Sequence, residues 1–148
     1  MAESLQQLVN EDTKIKVSST LDKSVGKKCL IDGSPETCWT SQQGTPQHVQ
    51  LTFAAAVIPK HIELTFQGGF VGTRTLVEVL LSGEQKWRTL SRIYPEDVNR
   101  KQVFDLTVTE ADLVDAQVES VKLVFEESSD FFGRITVYNL QILGSVPA

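Results

Sequence analysis

Leu30-Ile31-Asp32-Gly33-Ser34-Pro35-Glu36-Thr37-Cys38-Trp39-Thr40-Ser41-Gln42-Gln43-Gly44 is the stretch on which the reading of this chain turns. Asp32-Gly33 and Ser34-Pro35 are turn chemistry, because glycine accepts a positive φ and proline fixes its own. One large aromatic, Trp39, follows those turns. A Ser/Gln/Gly run then leads into the first strongly alternating segment. The stretch therefore reads as a lead-in loop, not a strand, whose indole plugs the end of a β core.

Outward from that loop the apolar pattern has period two, the signature of half-buried strands. On the N-terminal side, Ile15 and Val17 alternate with Lys14, Lys16 and Ser18 within Thr13–Thr20, an amphipathic edge strand. Leu21 to Ile31 reads as irregular or as one helical turn. On the C-terminal side, Val49, Leu51 and Phe53 form one strand. Ile62, Leu64 and Phe66 form another, with Ala54 to Lys60 between them and Pro59 as the breaker. Leu76–Leu81, Trp87–Tyr94 and Lys101–Leu106 follow. Thr109 as N-cap, with acids in the first turn, predicts a short helix over 109–113. Val121, Leu123 and Phe125 alternate again. The last strand starts at Ile135 and Val137 and changes phase near Tyr138-Asn139, which predicts a bulge. About eight short strands with one short helix predict an all-β fold, an antiparallel β-sandwich.

The chain has 148 residues, enough for one domain with a sizeable core and no staples. Residues 1–12 read as a flexible N-terminal segment, frayed or a short helix, 13–144 as the domain, and 145–148 as a tail. A net charge of −5, with no Lys/Arg run beyond two residues, opposes direct binding to nucleic acid or an anionic membrane. The polar, acidic start is unlike a signal peptide, and no apolar stretch approaches the roughly 20 residues that span a bilayer. The expected address is nuclear, cytoplasmic or both, not secreted. Cys29 and Cys38 fit that address as free, partly buried thiols.

Several segments in order carry a resemblance. Asp32-Gly33 through Thr37-x-Trp39, Gln67-Gly68-Gly69-Phe70, Tyr94-Pro95-Glu96-Asp97, and Phe125 through Asp130-Phe131-Phe132-Gly133-Arg134 to Gly144 together resemble the discoidin-like domains. These are the coagulation-factor type C, galactose-binding-like jelly-roll sandwiches. The resemblance covers roughly residues 13 to 144, and within the family it is nearest to small intracellular single-domain members that associate with a nuclear receptor. It implies a non-enzymatic interaction module, monomeric, whose partner is a nuclear receptor. Binding would repress transactivation by hindering the receptor at its DNA response element. The alternative it implies is a small-ligand or carbohydrate binder. Many family members also wrap a structural calcium in the lead-in loop, for which Asp32, Ser34 and Thr37 would be the ligands. A last-strand carboxylate completes that site in the family, and here the position is Asn139. A hard cation wants several anionic oxygens, so the reading is no metal and no other cofactor, with Asp32 equally suited to capping its own turn.

Catalysis finds no support in the residues. His48 and His61 fall at polar phases of strands, the two Cys and two His lack zinc spacing, and Gly-x-Ser-x-Gly is absent. The loops at one end are more informative. Gln67, Phe70, Arg74, Asp130, Phe131, Phe132 and Arg134 put aromatic and arginine side chains among polar neighbours, the residue types that anchor binding sites. One of Phe131 and Phe132 is expected to pack under the sandwich and the other to face a partner. Arg134 is expected to pair with Glu126 or Asp130. Trp39 and Trp87 read as packing. The carbohydrate alternative would use Gln67, Arg74, Phe131, Phe132 and Arg134.

Overall fold

The computed structural model describes residues 5–106, 108 and 110–147. Among them are nine strands: β1 (Gln6–Gln7), β2 (Lys14–Val17), β3 (Trp39–Thr40), β4 (Gln47–Phe66), β5 (Gly72–Leu81), β6 (Arg88–Ile93), β7 (Lys101–Asp105), β8 (Val118–Ser128) and β9 (Thr136–Ser145). Short 3₁₀ turns occupy Lys23–Val25, Lys27–Leu30 and Ala111–Leu113. The helix expected from 109 is thus a 3₁₀ turn beginning at Ala111; its proposed cap, Thr109, lies outside the described residues.

All strand pairings are antiparallel and build two layers. One runs β2-β4-β8-β5-β6. The other runs β7-β4-β9, with β1 and β3 both on the far side of β9. Strand β4 serves both layers. Its first part, Gln47 to Val57, pairs with β8, and from Ile58 onward it pairs with β9. The sequence reading broke this strand at Ala54–Lys60, but the backbone runs through for 20 residues. Two features permit it. The register shifts between Thr52 and Val57, so the alanines there form the bend where the strand changes layers. Pro59, which can donate no ladder hydrogen bond, stands opposite Gly144. A Cβ at Gly144 would lie 2.0 Å from the Ile58 carbonyl oxygen, so only glycine lets the two backbones come this close.

The inward phases of both layers meet in one core. Trp39 from β3 and Phe66 from β4 close on Phe125 of β8, with ring centroids 6.2 and 5.8 Å apart. All three are fully buried, and each such side chain stabilises the fold by roughly 1.5–3 kcal/mol. The Trp39 indole N–H donates to the Ser19 carbonyl at 3.0 Å, so the buried ring leaves no donor without a partner. Trp39–Thr40 is a two-residue strand on β9, where the sequence reading has only loop. The bulge expected near Tyr138 is present: Thr65 pairs with Asn139 and Phe66 with Val137, which skips Tyr138. Trp87 lies under the Lys122 ammonium, 4.2 Å from its ring centre.

Within the segment 1–12, expected to be flexible, frayed or a short helix, the described residues include a short strand. Gln6 and Gln7 pair with Gly144 and Leu143, and Leu8 and Val9 are buried. Two apolar residues suffice to tie the segment down, because β9 offers them a free ladder and the end of the core.

Candidate functional site

Four loops gather at the end of the sandwich where β4 and β5 begin and β8 ends: 42–46, 67–71, 94–100 and 129–135. The loop after β8 is built by its own polar residues. Ser128 Oγ donates to the Arg134 carbonyl at 2.7 Å and accepts the Asp130 amide at 3.0 Å. Asp130 then accepts from the Arg134 amide at 3.0 Å, from Nε at 2.9 Å and from a terminal nitrogen at 3.3 Å. This fork is the strong geometry for a guanidinium on a carboxylate. It holds the Asp130 carboxyl below the ordinary aspartate value and raises Arg134 above its own. Gly133 turns the chain with a φ of 81°. A Cβ there would sit 2.9 Å from Gly44 N, whose own N–H donates to Phe132 O at 2.8 Å. The loop is thereby clamped to the one that precedes β4.

The other two loops brace it from the opposite side. Asp97 accepts from the Gly69 amide at 2.8 Å and the Ser129 hydroxyl at 3.2 Å, and Asn99 accepts from the Gly68 amide at 3.0 Å. Ser129 Oγ accepts the Val71 amide at 2.9 Å. Phe70, half-buried, is locked by its amide to Gln67 O and its carbonyl to Thr136 N, both at 3.0 Å.

On this frame Arg134 lies between two rings, with its guanidinium carbon 5.0 Å from the centre of Phe70 and 5.9 Å from that of Phe132. Phe131 stacks edge-on against Phe132 at 5.2 Å. Phe131 is 94% exposed and Phe132 53% exposed, so neither packs under the sandwich as one of them was expected to. The loop is too short, and too firmly clamped at Gly133, to fold either ring inward. Of the two acids offered for Arg134, the partner is Asp130. Phe70, Asp130, Phe131, Phe132 and Arg134 therefore form one cluster. Gln67 contributes backbone bonds at its base. Arg74 is elsewhere: on β5 its guanidinium meets Glu126 at 3.3 Å and Glu127 at 3.7 Å, and Glu126 is shared with Arg92 at 3.0 Å. That removes one polar arm from the carbohydrate alternative. Sequence reasoning missed the braces Asp97, Asn99, Ser128 and Ser129. The signal was the Ser-Ser-Asp run itself, since these side chains habitually cap nearby backbone.

The lead-in loop does not fit a calcium ion. Asp32 accepts the Ser34 amide at 2.9 Å with one oxygen and the Thr37 hydroxyl with the other. Those two bonds, the hydroxyl's first, lower its pKa. Each oxygen thus already serves the turn, and the position that would add a second carboxylate is Asn139. Among the described residues no group of three or more His, Cys, Asp or Glu is placed to hold a metal. Cys29 and Cys38 are both free. His61 pairs with Asp105, and His48 is lowered in pKa by burial and then by Lys122 and Lys16.

A two-layer β-sandwich that presents aromatic side chains on braced loops at one end defines a discoidin-like, galactose-binding-like module. Solved structures share this fold. The family 32 CBM from C. perfringens NanJ, in complex with galactose, matches with a TM-score of 0.77 at 14% identity, over 95% of this chain and 99% of that one. The F5/8 type C domain of a Bacteroides fragilis protein matches with a TM-score of 0.78 at 12% identity, over 97% and 98%. No family model matches the chain. The chain nevertheless belongs to the family of the nuclear receptor 2C2-associated proteins. It is 44% identical to the Danio rerio member over 147 residues, 97% of each chain. It is 41% identical to the Mus musculus member, covering 94% of this chain and 96% of that one, and 38% identical to the Homo sapiens member, covering 93% and 95%.

Proposed function

We propose that this protein is a non-enzymatic interaction module that binds a nuclear receptor through its aromatic loop end, and represses transactivation by hindering the receptor at its DNA response element. It acts as a monomer in the nucleus, the cytoplasm or both. The observation that carries the site is the exposed pair Phe131 and Phe132 on a loop fixed at both ends. Rigid, exposed aromatics beside an arginine are the residues that dominate protein interfaces, because they bury much area with little ordering cost. The receptor as partner rests on the names of the relatives.

The charge of the patch favours a protein over nucleic acid. Arg134 is neutralised by Asp130, so the loop offers no free cation to phosphate. The chain's net charge of −5 supplies a means of repression, by covering a basic DNA-binding face.

The test is the affinity of purified protein for recombinant nuclear receptor 2C2, compared with a Phe131→Ala/Phe132→Ala variant of unchanged melting temperature. Truncating two anchors is expected to weaken binding by at least about tenfold. In a gel-shift assay wild type, not the variant, should release the receptor from its element. Equal affinities would move the site elsewhere, and no binding by wild type would end the receptor reading.

A further inference from the structure

A second surface lies along the edge of the β2 layer, away from the aromatic loops. A groove of about 640 Å³ is lined by residues of β2, by Gln50 and Thr52 of β4, and by Lys27, Lys28 and Ile31 in and after the 3₁₀ turn Lys27–Leu30. Its apolar residues are Ile15 and Ile31, both half-buried and still reachable. Around them stand Lys14 and Lys16 from the strand and Lys27 and Lys28 from the turn. Glu11 is the one acid of the lining.

Four ammonium groups around one groove are unusual in a chain of net charge −5. Of the other ten lysines and arginines, seven are paired with carboxylates, while among the described residues Lys23, Lys86 and Lys122 are not. All five arginines, Arg74, Arg88, Arg92, Arg100 and Arg134, are held by carboxylates. Lys60 and Lys101 are also paired. Among the described residues, none of the four groove lysines has an acidic partner within ion-pair distance. Of the groove lysines, Lys16 contributes, after burial and Lys122, to lowering the pKa of His48.

The backbone is also available. Among the described residues β2 pairs only with β4, so it is an edge. The Ser18 amide donates to His48 O at 3.0 Å. Alternation from that bond makes Lys16–Gln50 and Lys14–Thr52 the hydrogen-bonded pairs, and turns the amide and carbonyl of Ile15 toward the open side. Lysines on an edge strand ordinarily guard it against pairing. Here two more lysines, from a separate turn, face the same edge. Together they disfavour a basic strand and favour an acidic one.

We propose that this groove takes an extended acidic segment of a protein partner, added as a strand beside β2, with its carboxylates on the four lysines and an aliphatic side chain on Ile15 and Ile31. Strand addition supplies main-chain bonds, and the alternate side chains supply specificity. A nucleic acid would need a long basic stripe and rings to stack on, and this groove has aliphatic residues instead. A membrane would need apolar side chains that protrude, and Ile15 and Ile31 are recessed.

The test is an amide chemical-shift titration of the full chain with the synthetic peptide acetyl-Glu-Val-Glu-Ile-Glu-amide. The charge-inverted peptide with lysines for glutamates, a short DNA duplex, and vesicles of phosphatidylserine and phosphatidylcholine are titrated in parallel. The expected result is shifts confined to residues 14–17, 27–31, 50 and 52 with the acidic peptide, and none with the lysine peptide. A Lys14→Glu/Lys28→Glu variant should bind about tenfold more weakly, since two attractive pairs become repulsive. A Lys14→Gln/Lys28→Gln variant, which introduces no new repulsion, should fall between. Unmoved groove amides at millimolar acidic peptide would overturn the proposal. So would equal binding of the lysine peptide, or tighter binding of duplex or vesicles at the same residues.

Discussion

Asp130 is placed so that one carboxylate shapes the whole aromatic loop. It accepts three hydrogen bonds from Arg134, and Arg134 in turn separates the rings of Phe70 and Phe132. The folded pKa of Asp130 is depressed, chiefly by the Arg134 side chain. Its contribution is therefore complete above the ordinary aspartate value of ~3.9 and is lost as the pH falls through the lowered value. The Arg134 Nε–H resonance should hold its position from neutral pH to below ~3.9 and only then move. In Asp130→Asn the resonance should already be displaced at pH 7 and show no acid transition. A wild-type midpoint at or above the ordinary value would mean that the fork does not form in solution. At this scale the sequence was a partial guide. It offered Asp130, alongside Glu126, as a partner for Arg134, and the fork settles on Asp130. It could not show that both phenylalanines stay outside. That outcome depends on the contact between Gly133 and Gly44, residues 89 positions apart by their numbers, and no local pattern announces it.

Among the elements, β4 and β9 show best where pattern reading works and where it stops. Val49-Leu51-Phe53 and Ile62-Leu64-Phe66 were legible as strands because each puts alternate apolar residues on the core face. The phase change at Tyr138 was legible for the same reason. The passage through Pro59 was not, because its cost is decided by the strand opposite, at Gly144. Gly144→Ala places a Cβ against the Ile58 carbonyl and should cost about 1–3 kcal/mol by forcing these backbones apart. Gly26→Ala serves as the comparison. Its φ is −78°, its nearest heavy atom would be the Lys23 carbonyl oxygen at 3.8 Å, and it should be neutral or up to about 1 kcal/mol stabilising. Urea unfolding of the two variants checks the pair, and equal midpoints would mean that β9 can move away from β4.

For the molecule as a whole, residues 6–9 belong to the sandwich more than the polarity of the N-terminal stretch implies. Leu8 and Val9 are buried, the Leu8 amide donates to Ile142 O at 2.8 Å, and β1 extends the layer past β9. Deleting residues 1–9 should lower the unfolding free energy by about 3 kcal/mol or more, from two lost apolar side chains and their ladder. Calorimetry of the truncated and full chains would show it, and an unchanged melting temperature would make the segment an ornament. The charge distribution was likewise hidden in the linear order. Lys14, Lys16, Lys27 and Lys28 never form a run longer than two, yet the turn at 27–30 brings them to one groove. One strand, β4, is stitched into one layer by its first part and into the other by its second. The two layers therefore share a spine. If the aromatic tip is the docking site proposed above, its hydrogen-bonded loop should leave a partner little ordering cost to meet on this side.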